Sequence, residues 1–509
     1  MYSKINTCIL QGLNGYIIDV ETDLSRGLPV FNIVGLPDTS IKESKERVRT
    51  AIKNSGFEFP LNRITVNLAP ANLKKEGSQL DLAIALGILQ AMGVLDDFCH
   101  GDMAFIGELS LDGRLNPIEG VLPMIISMRE SNIKRCMVPY DNKDEAGIVD
   151  DIEIIPVQNL KQAVDYLNKK ISIPAFKNET SLSLQQDEEF DMDFSDIKGQ
   201  EGLKRSLEVA AAGSHNLLVI GPPGAGKTMA ARRLPTILPE LSFDEAIEVI
   251  KIYSVAGLLN SNSLIKARPF RAPHHTASSA SLIGGGRIPK PGEVSLAHNG
   301  VLFLDEIPEF KKSVLEVLRQ PMEDGVVTIS RVNATLNYPA KFMLMASMNP
   351  CPCGYLGDPF HECTCSQSSI DRYLGKLSNP LLDRIDIHIE VLPVKYEELD
   401  HGGKAETSRE IRKRVNKARQ IQLERYREDN IYSNSQISSR NIKKYCKLNK
   451  KAKQLLKNAF DRYKFSARTY NKILKVSRTI ADLDESDLIL EKHVLEAIRY
   501  RSLGNKYWG

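Results

Sequence analysis

The stretch Gly221-Pro222-Pro223-Gly224-Ala225-Gly226-Lys227-Thr228 constrains this chain more than any other, because it joins the apolar run HNLLVI to the helical pattern TMAARRL. Strand, glycine-rich turn and helix in that order are the setting of the phosphate-binding loop G-x-x-x-x-G-K-[ST], which is built on an α/β sheet. The glycines let successive backbone N–H groups point at one phosphate. Lys227 then supplies a point charge to the β- and γ-phosphates of a bound nucleotide, and Thr228 is placed to hold Mg²⁺.

Two further apolar runs, VLFLDE at 301–306 and KFMLMASMN at 341–349, alternate with helical patterns, so a parallel sheet is expected across 196–393. The first ends in Asp305-Glu306, two carboxylates at a strand's C-terminal edge, where ligands of such sheets lie. Asp305 is expected to position Mg²⁺ and Glu306 to orient the attacking water. Together with the loop they point to hydrolysis of a nucleotide.

At 509 residues the chain exceeds one hydrophobic core. A polar, acidic stretch at 172–195 is expected to link an α/β domain, 1–171, to the core at 196–393, and a helical unit follows at 404–509. The charge divides with it. Residues 401–509 carry 27 Lys and Arg against 12 Asp and Glu, whereas residues 1–400 carry 40 against 52. The basic end is a candidate surface for a polyanion, the alternative being solvated helices. With 42% hydrophobic and 26% charged residues the bulk is expected to fold. The first 30 residues lack a secretory apolar run, and the apolar window Leu80–Leu95 is too short to span a bilayer and is read as a buried helix. A cytoplasmic location without a membrane partner is expected.

Four of the eight cysteines, Cys351, Cys353, Cys363 and Cys365, form two Cys-x-Cys pairs nine residues apart. Four soft ligands on a short loop suit structural Zn²⁺, with His361 able to displace one thiol. Disulfides, free thiols or an iron–sulfur centre remain open alternatives. Cys8, Cys99, Cys136 and Cys446 are scattered and read as core residues.

On these motifs the middle of the chain resembles the AAA+ ATPases and, within them, the magnesium chelatase-like branch. The resemblance implies that Asn349, ending KFMLMASMN, is the sensor 1 residue. It implies likewise that Arg384 in LSNPLLDRIDIHIEV is an arginine finger reaching a neighbour's nucleotide, and that Arg468 in SARTYNKILKVSRTIADL is the sensor 2 arginine of a helical lid. A finger acting between subunits implies a homo-oligomeric ring. The 78 residues from Lys227 to Asp305 exceed a compact βαβ step, and the resemblance implies an insert there that faces the ring's pore, with Arg271, His274, His275 and Arg287 as candidate substrate contacts; an ordinary glycine-rich surface loop is the alternative. VVTISRVNATLNYPA reads as a hairpin with Arg331 near its turn.

Residues 61–92 and the run GELSLDGRLNPIEGVLPMI resemble the Lon-protease-type domain of the ribosomal S5 domain 2-like class. The serine position is displaced by one, with Ser78 and Gln79 at the Pro and Ser places, and Leu122 stands where the general-base lysine belongs. A binding or assembly module is therefore expected, not a peptidase. The whole order resembles the YifB/ComM family, which implies an ATP-driven hexameric motor promoting branch migration of DNA in natural transformation. Its expected partners are branched or single-stranded DNA bound without sequence preference, and recombination proteins. The alternatives are an ATP-driven protein-remodelling machine and a metal-chelatase-type motor subunit.

Overall fold

The computed structural model describes residues 1–95, 102–177, 190–259, 267–286, 289–331, 334–393, 405–429 and 431–508. Cys99, Arg287, the Arg331 side chain and the expected boundary at 404 lie outside what is described. The chain is a mixed α/β protein that divides into two compact units, Met1–Gln186 with Ile247–Ile265, and Asp187–Ala246 with Lys266–Gly509. The helices after 404 share one apolar core with the sheet before 393: Leu217, Val219 and Met345 belong to the same cluster as Ile473, Ile480 and Val494.

The first unit is built on a seven-stranded mixed sheet. Its order is Val30–Val34, Arg63–Ala69, Asn14–Ser25, Tyr2–Gln11, Met103–Phe105, Arg135–Pro139 and Glu153–Val157. Tyr2–Gln11 pairs antiparallel with Asn14–Ser25, whereas the strands from Met103 onward add in parallel. The window read as a buried helix is the helix Asp81–Ala91, in which every residue but Gln90 is buried. Asp81 tolerates that setting because Arg47 donates to both its oxygens, at 2.9 and 3.2 Å. Leu122 lies fully buried in the apolar core, the Ser78 hydroxyl donates to Glu108, and Gln79 Nε2 donates to the Glu76 carbonyl at 2.9 Å. From Ile247 on, the helix Phe243–Ala256 also belongs to this unit: Ile250 joins its core, and the Gly120 N–H donates to the Ser254 carbonyl at 3.2 Å.

The second unit holds a five-stranded parallel sheet in the order Phe270–Arg271, Val301–Leu304, Met343–Met348, Leu217–Ile220, Ile387–Glu390. Its three central strands are buried along their whole length, which is why they read as unbroken apolar runs. Against the sheet pack helices Glu201–Gly213 and Glu491–Trp508, and helices Ser408–Arg425 and Ala467–Leu483 pack in turn on Glu201–Gly213. The expected linker ends earlier than 195. Phe194 is fully buried in this unit's core, and its N–H donates to Ser408 Oγ at 2.7 Å, because an aromatic side chain inside an acidic stretch gains more by burial than by staying in water. Val326–Arg331 and Ala334–Pro339 pair as an antiparallel hairpin. Among the described residues no helix is long and apolar enough to cross a membrane.

Candidate functional site

Three neighbouring parallel strands deliver the site. Leu217–Ile220 lies beside Met343–Met348 with Ile220 opposite Met348, and Met343–Met348 lies beside Val301–Leu304 with Leu304 opposite Ala346. Their C-terminal ends therefore bring Gly221, Asn349 and Asp305 to one edge of the sheet, the edge at which parallel sheets bind ligands. The Gly221 N–H donates to the Met348 carbonyl at 3.1 Å. A Cβ at Gly221 would stand 2.4 Å from the Val391 carbonyl oxygen, so only glycine lets the chain leave the strand here.

Lys227 folds back over the loop. Its ammonium donates to the carbonyls of Gly221 and Pro222, at 2.7 and 2.8 Å, and to Asn349 Oδ1 at 3.0 Å. Burial lowers its pKa, and the nearby Asp305 and Glu306 carboxylates act in the opposite direction. Thr228 Oγ1 donates to Asp305 Oδ2 at 2.8 Å, which sets the hydroxyl and the carboxylate side by side as oxygen donors for Mg²⁺. The second oxygen of Asp305 accepts from Ser347 Oγ and, at 3.1 Å, from the Glu306 N–H. Glu306 itself is exposed and sits at φ 50°, ψ 49°, a left-handed conformation that costs a non-glycine residue about 1–2 kcal/mol. Its N–H is also held by Ser347 Oγ at 3.2 Å, so the fold maintains strain at a residue placed next to the phosphate loop.

The two arginines implied by resemblance stand outside this cluster. Arg384 donates from Nη1 to the Pro380 carbonyl at 2.6 Å and pairs through Nη2 with Glu323. Its backbone is fixed by Asn216, whose Nδ2 donates to the Arg384 carbonyl at 3.0 Å while its Oδ1 accepts from the Leu344 N–H at 2.8 Å. Arg468 lies exposed in the first turn of Ala467–Leu483. One turn on, Lys472 Nζ approaches Asp386 Oδ1 at 2.8 Å, and the other oxygen of Asp386 meets His215 Nδ1 at 3.3 Å and the Asn216 N–H at 3.2 Å. Burial alone would raise the Asp386 pKa, but Lys472 and His215 hold it well below the ordinary carboxylate range. This buried carboxylate thus ties the Arg384 segment to the strand entering the phosphate loop and to the helix carrying Arg468.

Of the candidate substrate contacts, Arg271 is engaged by Glu293 through two hydrogen bonds, at 2.7 and 2.8 Å. His274 and His275 pack ring to ring with centroids 4.0 Å apart. Ser347, Asn216, Asp386 and Lys472 are site residues that sequence reasoning did not reach. Arg372, Tyr373 and Lys376 are others, since they line with Glu306 and Asn349 a cavity of about 380 Å³.

The four sulfurs of Cys351, Cys353, Cys363 and Cys365 lie within 4.8 Å of one another, and all four cysteines are free of disulfides. Cys351 Sγ is 3.3 Å from Cys353 Sγ and 3.6 Å from Cys363 Sγ. A tetrahedral zinc site with bonds of about 2.3 Å spaces its sulfurs by about 3.8 Å, so the set fits such an ion. His361 is not among the converging ligands; its Nδ1 faces Asp358 at 3.4 Å. Cys8, Cys136 and Cys446 are buried.

Comparison with known proteins covers nearly all of the chain. Residues 193–399 match the family described as magnesium chelatase, subunit ChlI; residues 20–142 match subunit ChlI of Mg-chelatase, and residues 405–501 match its C-terminal family. The chain is 46% identical to the competence protein ComM of Haemophilus influenzae over 97% of its own length and 96% of that protein. It is 41% identical to YifB of Escherichia coli, over 98% of this chain and 97% of that one. The magnesium-chelatase 38 kDa subunit of Rhodobacter capsulatus is 28% identical over 39% of this chain and 55% of its own.

Proposed function

This chain belongs to the magnesium chelatase-like family that includes ComM and YifB, and from that premise we propose that it is an AAA+ ATPase whose subunits form a ring that drives branch migration of DNA during natural transformation. The observation that carries the reading is the convergence of Lys227 on Asn349 and of Thr228 on Asp305 at one sheet edge, with Glu306 beside them. A nucleotide's phosphates on Gly221–Thr228 would meet the Lys227 charge, Thr228 and Asp305 would hold Mg²⁺, and Glu306 would orient water. The order of the five parallel strands and the helices packed on them support a AAA+ core with a helical lid, and the mixed sheet of the first unit supports a Lon-like module used for binding or assembly.

Arg384 is half-buried and paired with the exposed Glu323 of its own chain, and its role in this reading is to leave that partner for a neighbour's nucleotide when a ring, most simply a hexamer, assembles. DNA as substrate is supported by the excess of basic residues after 401 and by full-length likeness to a protein named for competence. Contacts to the sugar–phosphate backbone alone would make binding independent of base sequence and steeply weaker in salt. The test is a synthetic four-way junction incubated with ATP. The unmodified protein converts it to two duplexes, whereas Glu306→Gln and Arg384→Ala leave it intact; a junction resolved equally by all three contradicts the reading.

A further inference from the structure

The loop between the two cysteine pairs has too few apolar residues for a core of its own, yet it is held in one shape. Asp358 Oδ1 accepts from the N–H groups of Phe360 and His361, at 2.7 and 2.9 Å, and the Tyr355 and His361 rings pack with centroids 4.8 Å apart. Gly354 brings this loop onto the phosphate loop: at φ 88° it lies so close that a Cβ would stand 2.6 Å from Pro223 Cδ. The result is a cavity of about 480 Å³ beside Gly224–Gly226, to which Ile197 and Leu203 contribute from the core, Met229 from the exposed face of the following helix, and Tyr355, Phe360 and His361 from the cysteine loop. Phe360 lines it while 61% exposed, so a large apolar ring is offered to whatever enters. An aromatic-lined cavity of this size adjoining a phosphate loop has the dimensions and chemistry of a purine site.

We propose that the four-cysteine loop is the base-binding wall of the nucleotide site: Zn²⁺ on Cys351, Cys353, Cys363 and Cys365 holds Tyr355 and Phe360 against the purine of a nucleotide whose phosphates lie on Gly221–Thr228. The proposal rests on the nucleotide-binding reading above and adds to it that affinity depends on metal occupancy of a loop outside the phosphate site. The four sulfurs close the loop at its base, two residues after Asn349, so removing the ion frees both ends of the segment that carries the aromatic rings.

The experiment uses full-length protein with Mg²⁺ present, elemental analysis for zinc, and calorimetric titration with ADP and, separately, with inorganic tripolyphosphate, which has the phosphates and no base. The unmodified protein is expected to carry one zinc per chain. Phe360→Ala keeps the zinc and weakens ADP binding about tenfold, in line with loss of one base–aromatic stack, while tripolyphosphate binds as before. Cys363→Ser with Cys365→Ser loses the zinc and weakens ADP binding at least as much, again sparing tripolyphosphate. Absence of zinc from the unmodified protein, or ADP affinity within about twofold of the parent in both variants, overturns the proposal. Lys227→Ala separates the two layers: if it leaves ADP and tripolyphosphate binding intact, the nucleotide-site reading itself fails, whereas if it abolishes both, the base-wall result stands alone.

Discussion

Replacing Asp386 by Asn tests how the second unit holds its arginine-bearing segments together. Asp386 is 8% exposed and serves Lys472, His215 and the Asn216 N–H. Asparagine keeps the shape and one acceptor but leaves the Lys472 ammonium buried without its counter-charge. Breaking a buried pair from one side costs about 3–5 kcal/mol. Here Lys472 limits the loss by giving up its proton, because burial already lowers its pKa and only Asp386 supports the charged form strongly. A loss of about 3 kcal/mol at pH 7 is expected from the lower end of that range.

The sign of the pH dependence follows from the same lysine. In the variant its folded pKa falls further below its unfolded value, so the unfolded chain binds more protons between the two, and stability rises with pH by up to about 1.4 kcal/mol per unit there. The deficit against the parent therefore shrinks as pH rises toward the ordinary lysine range. Urea titrations of the full-length protein followed by far-UV circular dichroism measure it, and Lys472→Met added to Asp386→Asn should restore most of the loss. A deficit below about 1 kcal/mol at pH 7, or a double variant less stable than Asp386→Asn, refutes the reasoning.

Mixing inactive subunits tests the finger. Arg384→Ala and Lys227→Ala proteins combined in equal amounts should recover about one quarter of the parental ATP hydrolysis on random assembly, because only an intact loop facing an intact neighbour is active; activity no higher than either variant alone contradicts action between subunits. His388 is fully buried beside Arg501, 3.3 Å from its Nη1, and burial followed by the Arg501 charge holds its pKa well below the usual value. The folded state therefore refuses a proton that the unfolded chain accepts, so stability is full above about pH 6.5 and falls below it by about 1.4 kcal/mol per pH unit. His388→Gln should flatten the acid limb of the urea midpoint by that amount, and an unchanged limb contradicts the assignment.

What was legible in the sequence is what local pattern encodes. Gly221–Thr228, the runs ending at Asp305 and Asn349, and the buried helix at Asp81–Ala91 depend on periodicity and spacing over a few residues, and the structure holds a strand, loop or helix at each. The Cys-x-Cys pairs were visible as a ligand set, but their closure against Pro223 was not, since it depends on one glycine meeting another loop. Asp386 and Lys472 could not be paired from sequence because 86 residues separate them and each looks like a surface charge. Ser347 carried a faint signal, a hydroxyl inside an otherwise apolar strand. Helix patterns after 404 were readable, yet their shared core with the sheet was not, because amphipathic spacing says which face is buried and not against what.

Steady-state ATP hydrolysis by the unmodified protein and by Glu306→Gln, paired with ATP-binding titrations of both, tests the central claim most directly. Glu306→Gln is expected to bind ATP unimpaired and to turn it over at least about a hundredfold more slowly, the contribution of a positioned general base. Equal turnover in the two proteins, or no hydrolysis by the unmodified one in the presence of Mg²⁺ and DNA, contradicts the claim.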